Sequence, residues 1–471
     1  MKRYALLING EWRTTGKSMQ VIDKYSGEVF AEIATANAED VDDAVAAAQL
    51  ASKSVLAPYK RYEVLMKAST LLRERANELA EILTREVGKP LRESQGEVAR
   101  AALTLEWSAE EAKRIHGEMV PVEAAPGAED RLAFTIRVPV GVVCAITPFN
   151  APLNLTCHKV GPAIAAGNAV VLKPASSTPI VSAILAEIFE AAGLPDGYLN
   201  LLVGSGAEVG DRLLKDERIN YYSFTGSVPV GMRIREMVGL RKVALELGSN
   251  SGVIVDKGSD IKKAARECVL KGVANAGQVC ISVQRVFVHR DIFEDFLNAA
   301  RTEASKLVVG NPFDSATDVG PMISDKEAAR AEQWVKEALS EGATLVYGGK
   351  REGRLFEPTI LSRTKAQMNV RCSEVFAPII IVEPFNTFEE GIELVNNSQF
   401  GLQAGVFSND LSHVLEAAQK LEVGSVIVND TSSFRVDQMP YGGVKLSGTG
   451  KEGPRYVVEE MTEERLIVLR R

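Results

Sequence analysis

Cys280 sits in NAGQVCISVQR between small and polar neighbours. Four roles are open to a lone thiol there: inert core packing, half of a disulfide, a metal ligand, or a nucleophile. Nucleophilic use needs the thiolate, and hence a lowered thiol pKa or an adjacent base. The four histidines, His116, His158, His289 and His413, fall in no thiol-protease signature. In VALELGSNSG a strand ends in Glu246, before Leu247-Gly248. A carboxylate there is costly to bury unless paired or functional, and burial raises its pKa toward the working range of a general base; a solvent-facing strand end is the plainer alternative. Asn150, in AITPFNAPLNL, offers an amide donor to a developing oxyanion, or serves only the turn.

Three further stretches suit phosphate or ribose. LLVGSGAEVGDRLL carries Gly204, Gly206 and Gly210 between a strand and a helix, one residue longer than the dinucleotide fingerprint. In YYSFTGSVPVG, Gly226 lets backbone approach a ligand and Ser227 opens a helix, whose N-terminus presents free N–H groups to a diphosphate. VLKPASSTP sets Lys173 at a strand end, with Ser176 after it and Thr178-Pro179 capping the next helix. Lys173 is then either a surface lysine beside a cap or a partner for ribose and phosphate oxygens.

These residues need elements to hold them. Asn9-Gly10 predicts an opening hairpin, and Val41, Ala44, Val45 and Ala48 share one helical face after a cap at Asn37. A long helix is expected through RYEVLMKASTLLRERANELAEILTREV, ending at Gly88 with Pro90 beyond. From Val140 the runs GVVCAIT, NAVVLK, YLNLLV and INYYSF alternate with helical patterns, as a parallel sheet with helical crossovers requires. A second such series includes SVQRVFVHR, EVFAPIIIVEPF, GLQAGVFS and GSVIVND. The fold class is therefore α/β, with two Rossmann-like α/β domains. RLAFTIRVPV (131–140) and the terminal RLIVLRR fit neither lobe and suit a small β-strand arm that completes a sheet with another subunit. The expected division is 1–120 and 141–248 for dinucleotide binding, 249–450 for catalysis, and 121–140 with 451–471 for the oligomerisation arm.

Composition excludes several classes. The 471 residues are 46% apolar and 25% charged, as in an ordinary globular protein. A net charge of −8 argues against a broad nucleic-acid or anionic-membrane surface. The apolar run at the N-terminus is too short for a signal-peptide core and no window suits a bilayer span, so the expected location is cytoplasmic. Five widely spaced cysteines, Cys144, Cys157, Cys268, Cys280 and Cys372, without C-x-x-C, speak against structural disulfides and zinc, and no metal is expected.

Taken in order, TPFN, LKPAS, FTGS, LELG, GQVC, EVFAP and MPYGGVKLSGTGKEG resemble the aldehyde dehydrogenase superfamily across nearly the whole chain, and the separation of 34 positions from Glu246 to Cys280 matches its spacing of base and nucleophile. The resemblance implies that Cys280 attacks the aldehyde carbon while the Asn150 amide and the Cys280 N–H hold the oxyanion. Hydride passes to a nicotinamide, and Glu246 activates the water that hydrolyses the thioester. Relatives that pass the acyl group to coenzyme A usually lack this glutamate. Lys159 and Glu452 match positions tied to proton relay and the water path.

The same resemblance implies a cofactor site built motif by motif: Thr147, Pro148 and Phe149; Lys173, Ala175 and Ser176; Gly206 and Gly210; Phe224, Thr225, Gly226 and Ser227, then Val230 and Gly231; Leu247 and Gly248. Glu374 and Phe376 would hold the nicotinamide ribose and ring. Ser176 stands where strictly NAD-using members tend to carry glutamate, so NADP is expected to be tolerated or preferred. Ser249 and Ala377 stand where the family often has glycine.

The nearest resemblance is to the lactaldehyde and glyceraldehyde dehydrogenase group, with Asn154, His158, Val279, Ile281, Phe434 and Arg435 as expected pocket walls. Asn154 and His158 would bond a 2-hydroxyl. Arg435 would grip a distal anion, unless it only pairs with Asp437. Three functions follow as expectations: NAD(P)-dependent oxidation of a small polar aldehyde by a homodimer or homotetramer; oxidation of an anionic semialdehyde such as succinate semialdehyde; or a retired structural member, against which the intact Cys280, Glu246 and Asn150 argue.

Overall fold

The computed structural model describes residues 2–471. The first lobe is built on an eight-stranded sheet with five parallel strands at its centre, in the order Lys242–Glu246, Tyr221–Thr225, Val142–Ile146, Ala169–Lys173 and Leu199–Leu201. These strands read as continuous apolar runs because helices cover both faces; Val170, Val171 and Leu172 are wholly buried. Register aligns their carboxyl ends: Ile146 lies opposite both Lys173 and Phe224, and Thr225 opposite Glu246. The order reverses at Val142–Ile146, whose neighbours continue the sheet in opposite directions. A doubly wound sheet opens its binding crevice at such a point.

The second lobe is a seven-stranded sheet, Thr344–Tyr347, Thr359–Ser362, Ile379–Phe385, Arg285–His289, Gly252–Val255, Gln403–Phe407 and Ser425–Val428, parallel except at its first edge. Cys280 lies in the loop that leads into Arg285–His289. The fold class is the one the sequence predicts.

The opening hairpin forms at Asn9 and Gly10, both at positive φ. Asn37 caps Ala38–Ala51, and Val41, Ala44, Val45 and Ala48 are buried. The expected long helix is instead two, Pro58–Glu74 and Ala76–Val87, broken at Arg75, whose guanidinium pairs with Glu78 and with Glu187 on the neighbouring helix. The cap expected from Thr178 is supplied otherwise: the buried Glu86 carboxylate accepts the N–H groups of Ile180 and Val181 at 2.6 and 3.1 Å.

Arg131–Pro139 pairs antiparallel with Thr462–Arg470, and Met119–Val120 completes a three-stranded sheet. Leu466, Val468 and Leu469 are exposed on its edge strand. Of the stretch 451–471, only Thr462–Arg470 runs in this sheet. The helix Pro454–Glu460 packs into the first lobe, where Val457, Val458 and Met461 join the core. No helix among the described residues is long and apolar enough to cross a membrane.

Candidate active site

Chain segments leaving the aligned strand ends wall a cavity of about 610 Å³. Thr147, Pro148, Phe149 and Asn150 follow one strand; Lys173 and Ala175, Phe224 through Ser227, and Glu246 through Gly248 follow the next three. Gly206, Gly210 and Val230 line the same space, as do Glu374, Phe376 and Cys280 from the second lobe. Phe149 and Phe376 meet edge to face at 5.8 Å. Two expected cofactor residues are off this wall. Ser176 turns its hydroxyl to the Gly204 carbonyl at 2.9 Å, and Gly231 lies behind the Leu247 side chain. Arg233, Leu214, Ile234 and Arg330 line the wall without any signal in the sequence.

The cavity fits a dinucleotide. Ser227 makes no side-chain capping bond, so the first N–H groups of Val228–Val238 are left to a ligand. A Cβ at Gly206 would meet nothing within 4 Å, leaving its backbone open to approach. Among the described residues no group of three or more His, Cys, Asp or Glu is arranged to hold a metal.

Cys280 follows a strained turn. Asn275, Ala276 and Gly277 all take positive φ, at 49°, 53° and 72°. For the two non-glycine residues this costs about 1–3 kcal/mol each, borne only where surroundings over-determine the backbone. Those surroundings are visible: Glu93 accepts the Asn275 N–H at 3.0 Å, and the Gln278 amide donates to the Asn275 carbonyl at 3.0 Å and accepts from the Ile323 N–H at 2.9 Å. At Gly277 a Cβ would lie 2.0 Å from the Ala377 carbonyl oxygen, so no other residue fits. Asn150 donates to the Gln278 carbonyl at 3.0 Å, and its own carbonyl accepts from Lys89 at 2.8 Å. Lys89 is paired in turn with the buried Glu97.

The Cys280 N–H has no acceptor among the described residues. Its Sγ lies 2.8 Å from the Tyr441 hydroxyl. Burial pushes the thiol up to about 11, against the pull of the Tyr441 bond and of Arg435. Glu246 is 4% exposed, and neither of its carboxylate oxygens has a hydrogen-bond partner. Burial and then the neighbouring Glu452 raise its pKa well above the ordinary value, opposed by Lys159 and Arg435. A carboxylate so placed is poised to take a proton rather than to hold a partner. Glu452 itself stays ionised, its pKa held low by Lys159, 3.1 Å away, and Arg435, 2.8 Å away, despite burial. Glu374 is raised by burial to about 7 and accepts the Ser249 N–H at 2.9 Å.

A second cavity, of about 510 Å³, begins at Asn150 and Val279 and opens past Asn154, Arg100 and Lys271. Asn150 is common to both walls; Cys280 lines the first cavity and its neighbour Val279 the second. Of the six expected substrate residues only Asn154 and Val279 line this funnel; His158, Ile281, Phe434 and Arg435 do not. Asp437, a position whose partners the sequence does not reveal, holds Asn154 and His158. It accepts two bonds from Arg100, one from Asn154 at 2.9 Å and one from His158 at 3.0 Å, so those donors are already engaged. Arg435 does not pair with Asp437; it is buried against Glu452, with its guanidinium 3.7 Å from the Tyr441 ring centroid. Ile281 is buried, and Phe434 is exposed away from both cavities.

A model described as the aldehyde dehydrogenase family matches residues 12–467. The chain is 58% identical over 469 residues to a 3-sulfolactaldehyde dehydrogenase of Priestia aryabhattai, covering 100% of this chain and 98% of the relative. It is 40% identical to a lactaldehyde dehydrogenase of Methanococcus maripaludis, with 98% and 99% covered. Among solved structures it is similar to the glyceraldehyde-3-phosphate dehydrogenase GapN of Methanocaldococcus jannaschii in complex with NADP, at 41% identity and a TM-score of 0.93, covering 97% of this chain and 100% of that one.

Proposed function

The chain belongs to the aldehyde dehydrogenase family, NAD(P)-dependent enzymes that here act on small polar aldehydes, and from that premise we propose that its substrate is a short 2-hydroxyaldehyde with an anionic tail, oxidised to the acid through Cys280. The observation that carries this reading is that Cys280 lines a dinucleotide-sized cavity which shares Asn150 with a funnel bordered by Arg100 and Lys271.

In this reading Cys280 adds to the aldehyde carbon as the thiolate; the C–S bond forms and charge passes to the carbonyl oxygen. The Cys280 N–H and the Asn150 amide hold that oxygen. The Gly206–Gly210 turn and the N-terminus of Val228–Val238 would hold NAD(P), with Glu374 and Phe376 toward its nicotinamide, and the cofactor would take up the hydride that leaves the former aldehyde carbon as the C=O bond re-forms. The thioester then left on Cys280 is hydrolysed: Glu246 takes a proton from water, whose oxygen attacks the acyl carbon, and the acid departs as the C–S bond breaks. Lys159 and Glu452 fix the charge beside Glu246.

The Arg100 Nη1 makes no hydrogen bond, and Lys271 has no acidic partner within salt-bridge distance among the described residues. Both are available to a sulfonate, phosphate or carboxylate. Initial rates with 3-sulfolactaldehyde, lactaldehyde, glyceraldehyde, succinate semialdehyde and benzaldehyde test the reading. The anionic 2-hydroxyaldehyde is expected to lead in kcat/KM. Arg100→Met should lower that value about 10- to 100-fold while leaving lactaldehyde within a few-fold, the worth of one charge-assisted contact. A lead for benzaldehyde would overturn it; a lead for succinate semialdehyde would favour the second reading, which the same cations support.

For the cofactor we propose that NADP is used at least as well as NAD. Ser176 puts no carboxylate at that end of the site, Lys173 lines the wall, and the nearby Asp211 is paired with Arg233 at 2.6 Å. The ratio of kcat/KM values for the two dinucleotides decides, and a strong NAD preference defeats the reading of Ser176. We assign assembly as a dimer or tetramer to the open edge of Thr462–Arg470.

A further inference from the structure

We propose that Tyr441 is a catalytic residue of this enzyme, its phenol donating to the Cys280 thiolate, and that Arg435 is the positioning residue that holds the ring in place. The inference rests on Cys280 being the nucleophile. Tyr441 lies in MPYGGVK and is 2% exposed. Its hydroxyl has one hydrogen-bond partner among the described residues, Cys280 Sγ at 2.8 Å. With the thiol protonated either group can donate. Once the thiol proton has passed to water, only the phenol can.

Three contacts fix the phenol. The Tyr441 N–H donates to the Glu452 carbonyl at 3.1 Å, and the Glu452 N–H returns a bond to the Tyr441 carbonyl. The Arg435 guanidinium then spans the pair, bonding the Glu452 carboxylate at 2.8 Å and lying over the Tyr441 ring at 3.7 Å from its centroid. A cation on the ring face withdraws electron density and strengthens the O–H as a donor. Tyr441 keeps its proton, for its acidity is suppressed first by burial and then by the adjacent thiol. When sulfur attacks the aldehyde carbon its charge moves to the carbonyl oxygen, and the phenol's bond weakens as that charge leaves.

The charged and titratable groups facing Cys280 are Tyr441, Arg435, Glu374 and Glu246. The pH midpoint of Cys280 alkylation by iodoacetamide, read by mass spectrometry of the Cys280 peptide, isolates the effect because it requires no turnover. Tyr441→Phe keeps the ring and is expected to raise the midpoint by about one unit, a tenfold loss of thiolate, and to slow the pre-steady-state burst of NAD(P)H about tenfold at neutral pH, with cofactor affinity and Tm unchanged. An unshifted midpoint would overturn the assignment. Should Tyr441→Phe not fold, 3,5-difluorotyrosine at 441, a stronger donor, is expected to lower the midpoint, and no change overturns the proposal equally. Arg435→Met should also raise the midpoint, and Arg435→Lys should restore it only in part. Because Arg435 also pulls on the sulfur directly, Tyr441→Phe combined with Arg435→Met is expected to shift by less than the sum of the two single shifts; a full sum would defeat the positioning role. A Cys280→Ser enzyme that still turns over would remove the premise, whereas an unshifted midpoint in Tyr441→Phe would remove only this inference.

Discussion

Cys280→Ser is expected to lose about 10³- to 10⁵-fold in dehydrogenase turnover while binding cofactor normally. Burial already raises the thiol to about 11, and a serine hydroxyl is far less acidic than a thiol, so its alkoxide is out of reach in the same surroundings. No histidine is placed to help: His158 is held against Asp437, and His289 and His413 stand in the second lobe beside Phe385 and Phe388. NAD(P)H production at 340 nm, with dinucleotide affinity measured by fluorescence titration, checks this. Turnover above a tenth of wild type would take the nucleophile's role from Cys280.

Glu246→Gln is expected to separate the two halves of the reaction. One equivalent of NAD(P)H per site should appear, after which the steady rate falls about 10²- to 10⁴-fold, the range for loss of a positioned general base. Acyl-enzyme should then accumulate on Cys280, visible as a mass increment on its peptide. The pH profile gives a second reading. A base works deprotonated, and burial beside Glu452 raises the pKa of Glu246, so the deacylation rate should climb with pH through a limb lying above the ordinary carboxylate range. That limb should be absent from the variant. Steady turnover at the wild-type rate, with no acyl-enzyme, would mean that another group activates the water.

The sheets were legible from the sequence because strands buried on both faces leave unbroken apolar runs, and the cofactor wall was legible because its residues follow strand ends in short local motifs. The break at Arg75 was not. Nothing in RERANE interrupts helical propensity, and the bend depends on Glu187, more than a hundred residues away. The funnel failed for the same reason on a larger scale. Asn154 and His158 read as free polar groups until Asp437 engages both from nearly three hundred residues along the chain. Arg435 was recognised as a cation of the site, expected to grip a distal anion unless it paired with Asp437; its partner is Glu452, which nothing local in the sequence selects. Tyr441 stood in view within a quoted motif; an aromatic side chain carries no mark that distinguishes a packed ring from one whose hydroxyl meets a sulfur.

The contact between Gly277 and the Ala377 carbonyl sets a limit on how this enzyme diversifies. Backbone meets backbone there with no side chain between, so the turn that carries Cys280 and the loop that carries Phe376 form a single incompressible seam. Drift at position 277 is closed, and a change of substrate cannot come from shifting the sulfur relative to that loop. Variation is left to the funnel, where Val279, Arg100 and Lys271 can be exchanged one at a time. The chemistry is inherited as a block, and the choice of aldehyde is rewritten around it.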